Sequence, residues 1–179
     1  DKKENCLKLK NKAMFKKVIV GIVLIISGCK GVSQDKQIVM DESIEEQESY
    51  KVIKTDAEWR KQLNDIQYYV LRQSGTERAF SSDLLKIKEK GTYSCAGCGT
   101  PLFKSKDKFD SGTGWPSFDQ EIKGNVAFDV DYNIGYERTE EHCAVCGGHL
   151  GHVFNDGPKA TTGKRHCING AALVFVADK

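Results

Sequence analysis

The sequence predicts a small, mainly β domain with antiparallel strands and short helices on its N-terminal side. After Gly91, short runs rich in valine, phenylalanine and tyrosine alternate with turn residues, a pattern typical of sheets built from short strands. Fourteen of the 17 glycines lie at or after Gly75, which suits tight turns between such strands.

Two short helices are predicted ahead of the strands. Thr55 and Glu58 fit a capping box, in which each side chain bonds to the backbone N–H of the other residue. Apolar residues follow at helical spacing, at Trp59, Leu63 and Ile66. Residues 67–73 predict a second short helix, and the charged run 83–90 predicts a helix or turn exposed to solvent.

Three strands are predicted with defined limits. Residues 125–132 alternate and are rich in valine and phenylalanine, which is typical of a half-buried strand. Residues 134–139 are a second candidate. Residues 171–176 form a continuous apolar run near the C-terminus and predict a short buried strand.

Charge separates the chain into a basic leader and an acidic remainder. The 179 residues carry a formal net charge of +2, but residues 1–29 hold seven lysines and two acidic residues. From Lys30 onward, 20 basic residues face 23 acidic ones, a net charge of −3. The basic character therefore belongs to the leader, and nothing in the remainder favours a nucleic acid as partner.

The leader has the features of an export signal. Lys16 and Lys17 precede an apolar core at residues 18–26, which suits a signal peptide and is too short for the ~20 residues of a spanning helix. We expect Met14 to be the translation start, because residues 1–13 contain no apolar core. Cys6 then lies upstream of the start.

Cys29 ends a pattern that resembles a bacterial lipobox. Residues 26–29 read Ile-Ser-Gly-Cys, and lipidation of such a cysteine anchors a protein to a membrane. A plain secretory signal with an incidental cysteine is the alternative. Residues 30–54 are acidic and poor in large apolar residues, so we expect a flexible tether and then one folded domain at 55–179. The expected product is an exported, membrane-anchored lipoprotein of a bacterial cell envelope.

Four of the seven cysteines form two near-identical turns. Residues 95–102 and 143–150 both read Cys-Ala-x-Cys-Gly-x-x-Leu, and the glycine lets the backbone bend back toward the sulfur. Two such turns supply a tetrahedral set of ligands, for which zinc is the usual ion and iron an alternative. The ligands would be Cys95, Cys98, Cys143 and Cys146.

The separation of the two turns indicates a structural metal. Because 44 residues lie between Cys98 and Cys143, the metal would join distant segments and its binding energy would help to fold the domain. A closed set of four thiolates leaves no open position for catalysis. A pair of redox disulfides is the rival interpretation, since the chain is predicted to be exported.

Cys167 is the candidate nucleophile. It follows Lys164, Arg165 and His166, and nearby positive charge lowers the pKa of a thiol and so favours the reactive thiolate. A single cysteine is also commonly an inert, buried small residue. His149 and His152 directly follow the second cysteine turn, so a metal there would hold two imidazoles in place.

Two further residues have both a structural and a functional interpretation. Trp115 lies on a glycine-rich loop, where it could face a ligand or enter the core. Asp156 precedes Gly157-Pro158 and is equally well explained as a turn residue.

Together these motifs resemble the B-type methionine sulfoxide reductases, which act on the R epimer of methionine sulfoxide. The resemblance runs from about Trp59 to Val176. It rests on both cysteine turns and on the motifs at residues 75–78, 114–118, 148–154 and 165–169. It implies a β-tent-like fold of two small antiparallel sheets with short N-terminal helices.

The resemblance also implies roles at the matching positions. Cys167 matches the nucleophile that attacks the sulfoxide sulfur and becomes a sulfenic acid, and Trp115 matches the wall that holds the substrate's methyl group. The polar network that orients the substrate and handles protons matches His149, His152, Asp156, Arg165 and Asn169. The structural zinc site, one ion per chain, matches Cys95, Cys98, Cys143 and Cys146.

Two positions depart from the family. Many members carry a second, resolving cysteine at the position of Thr113. Since the other cysteines are predicted to bind metal, to be lipidated or to precede the start, we expect an external thiol, such as a thioredoxin-like protein outside the cytoplasm, to reduce Cys167 directly. Gly170 replaces a serine that is often found there, so we expect a slightly altered pocket floor.

Three functions remain open from the sequence. The first is a reductase that acts on methionine sulfoxide, protein-bound or free, as a monomer. The second is a zinc-stapled protein-binding module in which Cys167 is structural, because the net charge argues against nucleic acid but not against a protein partner. The third is a thiol oxidoreductase that uses the Cys-x-x-Cys pairs.

Overall fold

The computed structural model describes residues 50–179. The predicted signal, Cys29 and most of the tether lie outside the described residues. Residues 50–179 are mainly β, with two short helices and nine strands in two antiparallel sheets, which confirms the predicted fold class. Neither helix in this part of the chain is long and apolar enough to cross a membrane.

Both helices begin with a capping box. Helix α1 spans Asp56–Gln62, and the predicted box between Thr55 and Glu58 is confirmed. Helix α2 spans Asp65–Gln73 and is capped by Asn64 with Gln67. It begins two residues before the predicted limit, because an Asn–Gln pair forms the same reciprocal bonds as a Ser/Thr–Glu pair.

Nine strands follow in chain order. They are β1 (Gly91–Cys95), β2 (Pro101–Lys104), β3 (Lys108–Phe109), β4 (Ser117–Phe118), β5 (Val126–Asp131), β6 (Arg138–Cys143), β7 (His149–Phe154), β8 (Arg165–Ile168) and β9 (Leu173–Ala177). The smaller sheet has the order β2-β1-β9, and the larger has the order β3-β4-β8-β7-β6-β5. Strand β8, which carries Cys167, therefore lies inside the larger sheet, between β4 and β7.

Three sequence predictions of secondary structure need correction. The strand predicted at 134–139 is wrong, since β6 begins at Arg138 and a turn precedes it. The apolar run at 171–176 begins with a 3₁₀ turn at Gly170–Ala172, and β9 is an edge strand with Val174 and Val176 exposed. The first predicted helix ends at Gln62, so Ile66 lies in α2 and not in α1. The helix or turn predicted in the charged run 83–90 is a 3₁₀ turn at Asp83–Leu85.

Aromatic side chains join the two sheets. Phe103 of β2 stacks on Phe118 of β4 with 4.4 Å between ring centroids, and Tyr93 of β1 meets Phe118 edge-on at 5.0 Å. All three side chains are fully buried, and offset or edge-to-face pairs of this kind stabilise a core beyond their buried area. The smaller sheet thus supports β4, the strand that lies beside Cys167 in the larger sheet.

Candidate metal centre and active site

The four predicted metal ligands lie together. Their sulfur atoms are all within 4.8 Å of one another, and the pairs Cys95–Cys146 and Cys98–Cys143 are 3.7 and 3.5 Å apart. Bonds of ~2.3 Å to a tetrahedral ion place sulfur atoms roughly 3.8 Å apart, so the set can hold such an ion. A disulfide needs sulfur atoms ~2.05 Å apart, so the geometry favours a metal over the redox alternative.

The two cysteine turns have the same backbone geometry. The N–H of Gly99 donates to the carbonyl of Cys95, and that of Gly147 to the carbonyl of Cys143, each at 2.8 Å. Both glycines are in the left-handed region, with φ of 77° and 68°, which disfavours other residues. The repeated sequence therefore codes for a repeated local structure.

The N-terminal helices cover the metal centre. Gln62 at the end of α1 donates to the carbonyl of Gly97 at 2.6 Å, and Arg72 of α2 donates to the carbonyl of Cys146 at 3.0 Å. The indole of Trp59, which is 2 % exposed, lies against Gly97. The helices thus contact one turn each, and a metal would tie them to the sheets.

The two faces of β8 have different environments. Successive side chains of a strand point to opposite faces, so Arg165 and Cys167 share one face and His166 and Ile168 share the other. His166 is buried, and its Nδ1 lies 2.6 Å from Oε1 of Glu141, which is also buried. The prediction that His166 supplies charge to the thiol is therefore wrong.

Cys167 opens into a small cavity. Its volume is about 140 Å³, and its wall includes the side chains of Trp115, His152, Phe154 and Asn169. Pockets that take whole drug-sized ligands have volumes of ~300–1,000 Å³, so this cavity suits one side chain of a larger substrate. The structure therefore brings together the predicted nucleophile, the predicted wall and two members of the predicted polar network.

Arg165 reaches the thiol from the same face of the strand. Its guanidinium is held by both carboxylate oxygens of Asp156 at 2.8 and 2.9 Å and lies 4.5 Å from the ring centre of Phe154. Asp156 is exposed and does not line the cavity. It acts on the site through Arg165, whose planar geometry it fixes with a bidentate pair.

The predicted lowering of the thiol pKa by positive charge is opposed by burial. Burial raises the pKa of Cys167, and the opposing effects of Thr113 and of the Arg165 guanidinium do not cancel that rise. Lys164 contributes no close charge, because its Nζ lies 3.3 Å from Oδ1 of Asn155 on the exposed surface. In the free protein the reactive thiol is therefore held mainly in its neutral form near pH 7.

His152 is oriented by a carboxylate that the sequence motifs did not indicate. Its Nε2 lies 2.7 Å from Oδ2 of Asp131, and Arg138 bonds to the same oxygen. The backbone N–H of Asn133 holds the pKa of Asp131 down to about 2, with help from His152 and Arg138. Burial lowers the pKa of His152, and Asp131 offsets part of that effect.

His149 supports the site from outside the cavity. It is 4 % exposed, its Nδ1 lies 2.5 Å from Oε1 of Glu140, and its ring meets that of His152 edge-on at 5.5 Å. His149 is not among the residues that line the cavity. The two predicted imidazoles thus differ: one contacts the cavity and the other packs behind it.

Asn169 and Trp115 are fixed by the same buried segment. The amide of Asn169 accepts from the N–H of Glu77 at 2.9 Å and donates to the carbonyl of Leu150 at 3.0 Å. The indole N–H of Trp115 donates to the carbonyl of Glu77 at 3.2 Å. The Glu77 carboxylate accepts from the N–H groups of Gly170 and Ala171 at 2.6 and 2.8 Å. Glu77 therefore links the turn after Cys167 to the loop between β3 and β4 that carries Trp115, which we call the tryptophan loop.

A family model described as the SelR domain matches residues 63–177. The peptide methionine sulfoxide reductase MsrB of Leptospira interrogans is 56% identical over 128 residues, which are 71% of this chain and 97% of that protein. The chain belongs to the family of B-type methionine sulfoxide reductases. The MsrB of Agrobacterium fabrum is 54% identical over 71% of this chain and 94% of its own length. The mitochondrial methionine-R-sulfoxide reductase B3 of Mus musculus is 47% identical over 74% of this chain and 53% of its own length.

The two departures from this family have clear positions. Thr113, at the site of the resolving cysteine of many B-type reductases, has its Oγ1 3.9 Å from Sγ of Cys167. Gly170 does not line the cavity. A Cβ at this position would lie 2.0 Å from Oγ of Ser82, so the glycine leaves space for Ser82. The structure therefore does not place the predicted change at the pocket floor.

Three polar residues that line the cavity or anchor His152 were not predicted from the sequence as site residues. Asp131 anchors His152, while Thr76 and Arg138 line the cavity. Thr76 lies in a motif that supported the resemblance, and that motif was the available signal. The other two lie on the β5–β6 hairpin, where their roles depend on strand register.

Proposed function

We propose that the chain reduces methionine-R-sulfoxide, protein-bound or free, to methionine with Cys167 as the nucleophile, and so repairs oxidised proteins. The Cys167 cavity carries the proposal, because one small space holds a thiol, an indole and an imidazole anchored by a carboxylate. Membership of a family whose relatives bear the names of sulfoxide reductases supports the same reaction.

The chemical step transfers the sulfoxide oxygen to Cys167. The Sγ atom attacks the substrate sulfur and forms a transient S–S bond. That bond and the substrate S–O bond then break as the protonated oxygen bonds to Sγ, and the substrate sulfur becomes the thioether of methionine. Cys167 is oxidised to a sulfenic acid, which can be reversed by thiols. The thiol's proton stays with the transferred oxygen, so the products are methionine and Cys167–SOH without a further reactant.

The pKa directions of Cys167 and His152 set their starting protonation states, from which transfer of the thiol proton to the imidazole is uphill. A buried neutral thiol and a buried neutral imidazole begin the reaction, because burial raises the pKa of Cys167 and lowers that of His152. His152 takes the thiol proton and delivers it to the developing oxyanion, as a general base and then a general acid. The Arg165 guanidinium stabilises the thiolate that forms between these events.

Regeneration is proposed to use an external dithiol such as a thioredoxin-like protein. One thiol condenses with Cys167–SOH, releasing water and forming a mixed disulfide; the second thiol breaks that disulfide and restores Cys167. Thr113 stands where many family members have a resolving cysteine, and its Oγ1 lies 3.9 Å from Sγ of Cys167. Mass spectrometry after one turnover should show no disulfide that joins Cys167 to another cysteine of the chain, and finding one would overturn this step.

The metal is proposed to be one structural zinc ion per chain. The four thiolates would hold it in a closed tetrahedral set, whose spacing fits Zn–S bonds. When bound, zinc supplies a cross-link between the two turns and the helices that cover them. The predicted leader supports the further proposal of an exported, lipid-anchored monomer of a bacterial cell envelope, with Cys29 as the lipidated residue.

Activity on separated sulfoxide epimers tests the function. We expect turnover of methionine-R-sulfoxide with dithiothreitol or thioredoxin and none of the S epimer. Cys167→Ser should abolish turnover while leaving the unfolding temperature unchanged. Turnover of the S epimer, turnover of neither epimer, or full activity of Cys167→Ser would each contradict the proposal, and the last result would favour a binding module.

A further inference from the structure

A second, larger cavity lies on the other side of the tryptophan loop. Its volume is about 350 Å³, against about 140 Å³ for the Cys167 cavity. Its apolar wall is formed by Phe80, Leu85, Ile87, Phe109, Trp115 and Pro116. We name it the Phe80 groove. None of the proposed chemical steps uses it.

Phe80 is an unusual residue in this groove. It is 70 % exposed, and its φ of 64° is one of two positive values among the described residues other than glycine. A bulky side chain in this backbone conformation is a genuine outlier. Such outliers persist where the surrounding structure holds them, and they concentrate at binding sites.

The tryptophan loop holds Phe80 in place. The N–H of Phe80 donates to the carbonyl of Gly114 at 2.8 Å. Its ring covers Gly114 so closely that a Cβ there would lie 2.9 Å from Cδ2 and Cε2 of the ring. The next residue is Trp115, so the exposed phenyl ring and the proposed wall of the substrate site are joined through one glycine.

Trp115 borders both the Phe80 groove and the Cys167 cavity. Its indole is fixed by the hydrogen bond to Glu77. An extended polypeptide advances ~3.3 Å per residue, so a neighbour one or two residues from a side chain in the Cys167 cavity can pass over the indole. A free amino acid has no such neighbour.

We propose that the Phe80 groove binds an apolar side chain located one or two residues from the oxidised methionine of a polypeptide substrate. This inference rests on the proposed function and adds the residue that sets its substrate preference. The exposed phenyl ring gains from an apolar or aromatic partner that removes it from water. The lining also includes charged residues, of which Lys86 and Lys88 are exposed, so the apolar residues form one part of the groove.

Paired peptides test the inference with the full chain and dithiothreitol as reductant. One acetylated, amidated pentapeptide carries phenylalanine on both sides of methionine-R-sulfoxide, and the other carries glycine. We expect kcat/KM to favour the phenylalanine peptide by about tenfold, as burial of one aromatic group allows. In Phe80→Gly, which suits a positive φ, the ratio should fall to about one, and in Ile87→Ala it should fall by about threefold.

Two control variants distinguish binding in the Phe80 groove from a general effect of changing an exposed phenyl ring. Phe80→Tyr should keep the ratio, and so should Phe128→Ala, which removes an exposed phenyl ring from β5 outside both cavities. An unchanged ratio in Phe80→Gly overturns the inference, as does a loss of rate seen only with thioredoxin, which would assign the groove to the reducing protein. Failure of the unmodified chain to reduce either peptide would instead contradict the proposed function.

Discussion

The metal centre and the Cys167 cavity both depend on cysteines, but the chain builds them differently. The metal centre consists of two copies of one local turn, each closed by its own glycine. The cavity wall comes from separated parts of the chain: the segment before β1, the tryptophan loop, and strands β6, β7 and β8 with the turn that follows β8. The first site therefore depends on short-range sequence, and the second depends on the register of a whole sheet.

The difference extends to what surrounds each sulfur. The metal ligands meet other thiols within 4.8 Å, so their charge is to be shared by one cation. Cys167 faces Thr113 and a guanidinium, which leave the pKa of the thiol raised by burial. The first arrangement suits stability and the second suits the proposed reactivity, because Cys167 is the one cysteine among residues 50–179 that lies outside the thiol cluster.

Loss of the metal should have the largest effect. Cys98→Ser, or a strong chelator, removes a cross-link whose apparent binding energy in small zinc domains is ~10–16 kcal/mol. We expect loss of the cooperative unfolding transition together with release of one zinc ion per chain. Calorimetry with a zinc-sensitive dye measures both.

The matched control for metal loss is Cys167→Ser. It should unfold at the parent temperature with its zinc retained, because Cys167 is outside the thiol cluster. A cooperative Cys98→Ser protein without zinc would show that the metal is dispensable for folding.

A change of one glycine should distinguish the two sites. A Cβ at Gly151 would lie 2.1 Å from the carbonyl oxygen of Cys167, so Gly151→Ala must push β7 and β8 apart. We expect a stability loss of ~1–3 kcal/mol and, because a misplacement of ~1 Å can cost a hundredfold in rate, a fall in kcat/KM of about that size. Urea unfolding and steady-state kinetics measure the two effects.

The same change in a cysteine turn is the control. A Cβ at Gly97 finds its nearest atoms at ordinary contact distances of 3.5 Å or more, and the second turn has Val145 at the equivalent position. Gly97→Ala should therefore retain parent stability and rate. Equal losses in both variants would remove the distinction between a local and a register-dependent site.

The cluster of four cysteines could be predicted from the sequence because the two turns that form it are local and have nearly the same sequence. Cys95-Ala96-Gly97-Cys98 and its copy specify the ligands, the turn and the need for glycine without reference to the sheet. The capping box at Thr55 could be predicted for the same reason, since its two partners are three residues apart. Cys167 was identified from its motif and from the family resemblance rather than from periodicity.

The electrostatics of the active site could not be predicted in the same way. His166 is adjacent to Cys167 in sequence, but strand geometry turns it toward Glu141 on the other face. Asp131 is 21 residues from His152 and reaches it only because β5 and β7 flank β6 in the sheet. Position in the sequence therefore suggested a role for His166 that the fold does not support, and it gave no sign of the contact between Asp131 and His152.

Loss of the carboxylate that anchors His152 should reduce the rate moderately. Asp131→Asn leaves the fold of the hairpin but removes the charge that orients the imidazole and offsets its lowered pKa. We expect kcat/KM to fall about tenfold to a hundredfold, at the low end of what a general acid–base group contributes. The measurement is steady-state kinetics on methionine-R-sulfoxide between pH 6 and 9.

Asp129→Asn is the control for Asp131. It removes an exposed carboxylate from the same strand, close to His142 rather than to the cavity. It should change kcat/KM by less than about twofold. A rate for Asp131→Asn as high as that of the control would show that His152 needs no anchor.

The smallest effect is expected from the charge beside the thiol. The Arg165 guanidinium lowers the pKa of Cys167 against the larger rise caused by burial, so Arg165→Gln should raise that pKa further. Thiolate formation then moves to higher pH, and the fraction of thiolate near pH 7 falls because each unit of pKa corresponds to a tenfold change. Alkylation of Cys167 by iodoacetamide should be a few-fold slower near pH 7 and should approach the parent rate at high pH.

Lys164→Gln is the control for Arg165. It removes an exposed charge that is adjacent to Arg165 in sequence but points toward Asn155, so the pH dependence of alkylation should stay unchanged. Equal shifts in the two variants would mean that the thiol responds to net charge alone, whereas a shift confined to Arg165→Gln would assign the effect to the face of β8 that Arg165 shares with Cys167.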